Sequence, residues 1–189
     1  MAIDVAVARR LFTVEEYHRM GEVGILKETD HVELIRGEIV EMSPQGFRHR
    51  AFIDNLNRLL VTRLGDRAVV SIQMPIVLAG DTEPEPDVQV LRPPMVPYKH
   101  REVRADDAFL LIEAGVSSLA YDRSAKLRLY AEAGIPEYWV VDCVAESIEV
   151  HRTPHTEGYR EVARITEPTA TVALQAFPDV VLTLAEIFA

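Results

Sequence analysis

The sequence predicts a mixed α/β fold, a central sheet flanked by helices, on three observations. Residues 109–115, FLLIEAG, and 138–144, YWVVDCV, are continuous apolar runs typical of strands buried on both faces. Between them lies a helical pattern with Leu127, Tyr130 and Ala131 on one face, ended by Gly134 and Pro136. Upstream, Phe52, Ile53, Leu56, Leu59, Leu60 and Leu64 recur at helical spacing and define a second buried stripe.

Taken in order, Thr13 with Glu16 three residues later forms a capping box and predicts a short helix through Met20. VELIRGEIVEM, residues 32–42, predicts a hairpin turning at Arg36-Gly37, because glycine takes the positive φ of a tight turn. A two-residue turn sets Ile35 against Glu38 and Glu33 against Val40, so Glu33 and Glu38 share a face, expected to be solvated. Ser43-Pro44 breaks the second strand. The long helix that follows carries His49 at the N-terminal end of its buried stripe, and Gly65 stops it.

VVSIQMPIVLAG is β-rich, with Pro75 marking an edge or a bulge. In EPEPD the prolines force an extended backbone that leads Asp87 into a strand, on the same face as Gln89. Residues 92–107 read as a surface loop without secondary structure. Asp122 is expected to cap the helix carrying Lys126. Beyond YWVVDCV, SIEVHR predicts a hairpin partner, YREVARI and TATVAL add outer strands, and LAEIF closes the chain as a short helix.

Composition bounds the chemistry. At 189 residues and 48% hydrophobic content the chain is long enough for one full core, so a single domain after a short N-terminal arm, residues 1–11, is expected. The lone Cys143 allows neither an internal disulfide nor a zinc cluster. MAIDVAVA is not a secretory signal, and no apolar run approaches the ~20 residues of a membrane span, so a cytoplasmic protein is expected. The net charge of −10 runs against a polyanion partner unless one face is locally basic. Arg48, Arg50, Arg58 and Arg63, with the KHREVR run around Lys99, are the candidates for such a face.

Three residues carry the chemistry. Glu113 sits inside an apolar strand, where an ionised carboxylate must meet a cation or accept hydrogen bonds. Asp87, at the mouth of the preceding strand, can meet it on one face to hold a divalent metal, with Lys126 close behind on a helix. Two acids and a lysine on this frame are the parts of metal-assisted phosphodiester hydrolysis. His49 adds a proton carrier or phosphate contact. Each has an ordinary alternative: a turn aspartate, an arginine-paired glutamate, a solvated lysine and a histidine bonded at the core edge.

ELIRGEIVEMSP with the following histidine, EPEPD, IE with SSLAYDR, Lys126 and LYAEAGIPEYWVVD together resemble the Uma-two family of restriction endonucleases in the PD-(D/E)XK nuclease superfamily. The likeness runs from Phe12 to Phe188 and implies a restriction-endonuclease-like mixed central sheet flanked by helices, with an N-terminal hairpin and extra C-terminal strands, over residues 12–189. It implies a Mg²⁺ (or Mn²⁺) site in which Pro86-Asp87 is the PD element and Glu113 the second acid. The backbone carbonyl of Ala114 and Glu38 would complete the ligands. Gly115 stands where the superfamily's lysine is expected, and Lys126 resembles that lysine moved to the next helix. Val116 stands where relatives usually have a polar residue. The implied partner is nucleic acid, DNA first, and the implied assembly a homodimer. Two other functions compete: a non-catalytic binding or assembly module on the same fold, and a metal-dependent hydrolase of a smaller phosphoester.

Overall fold

The computed structural model of the chain describes residues 9–27, 29–42 and 46–189. Helix α1 (Val14–Glu22) starts as its capping box dictates: Glu16 N donates to Thr13 Oγ1 at 3.2 Å and Thr13 N to the Glu16 carboxylate at 3.0 Å. It runs two residues past the expected end. Strands β1 (Val32–Ile35) and β2 (Glu38–Glu41) form the predicted hairpin, with Glu33 opposite Val40 and Ile35 opposite Glu38. Its turn residues Arg36 (φ 51°) and Gly37 (φ 78°) both adopt the left-handed conformation. A side chain at 37 would meet Leu11 Cβ at 2.7 Å, so conformation and space both require glycine. The predicted break at Ser43-Pro44 lies outside the described residues.

Helix α2 (Phe47–Leu64) buries the six apolar residues its periodicity selects, together with His49, and ends at Gly65 (φ 54°). The main sheet then begins with β3 (Val69–Ile72) and β4 (Val88–Leu91), and continues through β5 (Ala108–Gly115), β6 (Glu137–Asp142), β7 (Ser147–His155) and β8 (Gly158–Ile165), laid side by side in that order. All neighbours are antiparallel except β5 and β6. β3 is an edge strand that stops short of Pro75, as expected, with Gln73 at φ 50°.

A parallel pair needs a crossover. Here it consists of α3 (Leu119–Tyr121), a π-helical turn (Asp122–Lys126) and α4 (Leu127–Glu132). The expectation that Asp122 caps this helix is corrected: the helix starts three residues earlier, and Asp122 lies inside the π turn, buried, accepting from Ser118 Oγ at 2.8 Å. Residues 92–107 are likewise not wholly irregular, since Val96–Lys99 and Ala105–Asp107 form 3₁₀ turns. TATVAL does not join the main sheet. β9 (Thr171–Leu174) pairs with β10 (Phe177–Thr183), a strand whose Pro178-Asp179 step hides it from period counting, and the register shifts between Phe177 and Val181. α5 (Leu184–Ile187) follows, with its own capping box from Thr183 and Glu186.

Two apolar layers sandwich the main sheet. On one face α2, α5 and the β9–β10 hairpin cover Val88, Val90, Leu110, Ile112, Trp139 and Val141. On the other, Tyr130 and Ala131 of α4 cover Leu111, Tyr138 and Val140. Strand alternation puts Glu113 on this second face, beneath the crossover helix. Among the described residues no helix is long and apolar enough to cross a membrane.

Candidate active site

Val88 pairs with Ile112, so Asp87, one residue before β4, stands opposite Glu113 across the antiparallel β4–β5 pair. Asp87 is held at three points. Its Oδ2 accepts from Ala114 N at 2.9 Å, its Oδ1 accepts from Gln73 Nε2 at 3.4 Å, and His49 Nε2 lies 2.9 Å from that same Oδ1. The histidine that the α2 stripe carries inward therefore reaches the predicted PD element.

Glu113 Oε1 accepts from Lys126 Nζ at 2.9 Å and from Tyr130 Oη at 2.6 Å. Lys126 also lies 3.2 Å from Glu33 Oε2, which in turn accepts from Glu85 N at 3.3 Å. Glu33 is the residue the sequence reading missed. It was expected on a solvated face, yet it is only 3% exposed. The available signal was its face-mates: in β1–β2 it shares a side with the apolar Ile35 and Val40. Glu38, on the same side but nearer the turn, is exposed and pairs with Arg9, so the structure does not bring it to Asp87 and Glu113.

The lysine's place on a helix has a steric reason. A Cβ at Gly115 would sit 2.9 Å from Leu119 Cγ and 3.0 Å from Ser118 Oγ, so a side chain two residues after the acid would have to displace both. Lys126 arrives instead at the end of the π turn, 5% exposed. Wide helical turns of this kind recur at functional sites.

These groups line a cavity of about 410 Å³ with Glu33, Glu85, Asp87, Glu113 and Asp122 in its wall and Lys126 as the buried cation. The imbalance shows in protonation. Burial pushes Glu113 well above the usual carboxylate range; Lys126 pulls it back, while Asp87, Asp122 and Glu33 push it further up. Burial likewise raises Glu85 and Asp122. For Lys126 burial acts downward, but Glu113 and Glu33 outweigh it and hold the group above its ordinary value as an ammonium.

The wall suits a hard divalent cation. Among the described residues no three His, Cys, Asp or Glu side chains converge as a metal cluster, which leaves no zinc-type site. Mg²⁺ needs less, because it keeps several waters and takes one or two carboxylates. Asp87 and Glu113 are the two carboxylates that would serve it. The Gly115 carbonyl accepts from Cys143 N on the β6 side, so alternation turns the Ala114 N–H and carbonyl to the β4 side, where its N–H meets Asp87. The donor set is all oxygen and fits.

The expected basic face is partly neutralised. Arg63 pairs with Glu186, Arg101 with Asp107 and Arg104 with Glu102. Arg48 and Arg50 are exposed at the start of α2, beside the cavity.

A mixed sheet with one parallel pair, whose crossover helix returns a buried lysine to two opposed strand acids, defines a restriction-endonuclease-like α/β protein. A similar architecture occurs in the crystal structure of "a putative nuclease belonging to DUF820" from Anabaena variabilis, with a TM-score of 0.72 over 94% of this chain and 97% of that one at 21% sequence identity. At that identity the likeness concerns the fold. Residues 14–185 match the model of the Uma2 family, described as "Putative restriction endonuclease", and the chain belongs to that family. No curated protein matches the chain. Family and fold together point to a nuclease of the restriction-endonuclease type.

Proposed function

We propose that the protein is a Mg²⁺- or Mn²⁺-dependent endonuclease that hydrolyses phosphodiester bonds of nucleic acid, DNA first. The observation that supports this most is the opposition of Asp87 and Glu113 across β4–β5 with the Lys126 ammonium 2.9 Å from Glu113. Asp87, Glu113 and the Ala114 carbonyl would hold the cation, which when bound would supply Lewis-acid polarisation of a phosphate oxygen and an acidified water. Lys126, fixed between Glu113 and Glu33, offers positive charge to the phosphate as negative charge accumulates on it. His49 steadies Asp87 and serves as an auxiliary proton carrier. Glu38 has no part in this site. Arg48 and Arg50 give the polyanion its approach.

A second reading, hydrolysis of a smaller phosphoester, is favoured by the acid-rich wall of the cavity and the net charge of −10. A homodimer belongs to the proposal as well: Leu11, Val23 and Ile25, each more than half exposed around one groove, are the apolar surface it would cover. Sedimentation as a monomer removes that part.

Calorimetric titration of Mg²⁺ and Mn²⁺ into wild type, Asp87→Ala and Glu113→Ala tests the site, with the same samples assayed on plasmid, single-stranded DNA and bis(p-nitrophenyl) phosphate. Metal binding and DNA cleavage lost together in both variants support the endonuclease. Cleavage of the small diester alone supports the second reading. A folded protein that neither binds metal nor cleaves leaves a binding module.

A further inference from the structure

Tyr121, the last residue of α3, lines the cavity shared by Asp87, Glu113 and Lys126. Its hydroxyl is buried and bonds to no other group among the described residues. A buried hydroxyl without a partner is costly, and its persistence in a chamber calls for a ligand that completes it.

The neighbouring donors identify what it offers. Lys126 Nζ is shared between Glu113 at 2.9 Å and Glu33 at 3.2 Å. Tyr130 Oη is spent on Glu113, Ser118 Oγ on Asp122 and Gln73 Nε2 on Asp87. His49 turns Nε2 to the Asp87 carboxylate, which can only accept; in the neutral ring the other, unpartnered nitrogen Nδ1 then carries a lone pair and is no donor. Tyr121 therefore joins the third N–H of Lys126 as a buried side-chain donor still uncommitted among the described residues, in a wall rich in acids. An anionic substrate entering such a chamber needs a donor that adds no further negative charge. Burial, reinforced by Glu33, pushes the Tyr121 hydroxyl up to about 12, so it remains O–H at neutral pH and is no nucleophile.

We propose that the Tyr121 hydroxyl donates a hydrogen bond to a non-bridging oxygen of the substrate's phosphate and so fixes that phosphate against Asp87, Glu113 and Lys126. The inference rests on the phosphoester-hydrolase reading of the cavity and deepens it, making Tyr121 a substrate-contacting residue. No bond to the tyrosine is made or broken.

The test is Tyr121→Phe, which removes one oxygen and keeps the ring. Steady-state cleavage should show kcat/KM lower by about 10- to 100-fold, the range for one hydrogen bond to a charged oxygen in a closed site. The loss should appear in KM as well as kcat, because the non-bridging oxygens are charged before and during reaction. Mg²⁺ affinity should not change. The melting temperature should hold or rise, since no intramolecular bond is lost. Unchanged kcat/KM overturns the proposal, and so does a lowered melting temperature, which would mean the hydroxyl has a structural partner. If wild type cleaves no phosphoester, the functional reading fails. Calorimetric binding of inorganic phosphate in Mg²⁺ then decides this inference separately: weaker binding by Tyr121→Phe upholds it, and equal or absent binding overturns it.

Discussion

Removing Lys126 should cost far more than its surface area suggests, because Glu113 and Glu33 would lose the cation that lies within 3.2 Å of both. Breaking one member of a buried ion pair typically costs about 3–5 kcal/mol. For Lys126→Met the melting temperature should fall by roughly 6–20 °C, at about 2–4 °C per kcal/mol for a chain of this size. Glu33→Gln keeps an acceptor for the ammonium and should melt closer to wild type. Cys143 gives a second expectation. Burial, with Asp87 and Asp142 adding, pushes its thiol up to about 12, so at pH 8 it is un-ionised and covered. A disulfide reagent such as DTNB should label it only on unfolding; rapid labelling of the native protein would contradict this environment. At this scale the sequence was partly legible. Glu113 stood out as an acid in an apolar strand, but Glu137 is an equally buried strand acid that serves the scaffold, bonding to Trp139, Arg152 and the backbone of Gln175. Both acids border runs of β-formers, FLLI before Glu113 and YWVV after Glu137, and their partners tell their roles apart.

Among elements, the crossover between β5 and β6 carries most of the site. Its π turn contains one more residue than an α turn, and it brings Asp122 and Lys126 to the cavity together. Deleting the exposed Ser124 should restore α geometry and narrow the turn that presents Asp122 and Lys126 together. The expected outcome is loss of cleavage with secondary structure retained by circular dichroism; full activity would show that the wide turn is dispensable. The π turn was invisible in the sequence because its residues are ordinary helix formers and its extra residue is imposed by packing. The capping boxes at Thr13 and Thr183 are the opposite case. Their donors and acceptors lie three residues apart, so the local sequence contains the whole interaction.

For the whole molecule, charge is the open contest. A net −10 chain can meet DNA only through a small footprint, and with Arg63, Arg101 and Arg104 paired to acids, the exposed Arg48 and Arg50 beside the cavity are the expected phosphate contacts. Affinity for a DNA duplex in Ca²⁺ should therefore depend only weakly on salt. Replacing both arginines by alanine should flatten the slope of log K against log salt by about 2, at about 0.9 per phosphate neutralised. A steep wild-type slope, or one that the double variant leaves unchanged, would place the binding surface elsewhere.

The sequence by itself determined what depends on near neighbours. The buried strands, the α2 stripe, the hairpin turn at Arg36-Gly37, the face of each strand acid and the absence of a lysine at 115 all follow from period, turn chemistry and residue identity. Tertiary structure alone decided which of those faces meet. It set Asp87 against Glu113, brought Glu33 from a hairpin 93 positions away to Lys126, left Glu38 in solvent, and paired Arg63, Arg101 and Arg104 with acids. The reason is range: a period or a cap is closed within a few residues, whereas a contact between β1 and the crossover helix exists only once the sheet between them has assembled.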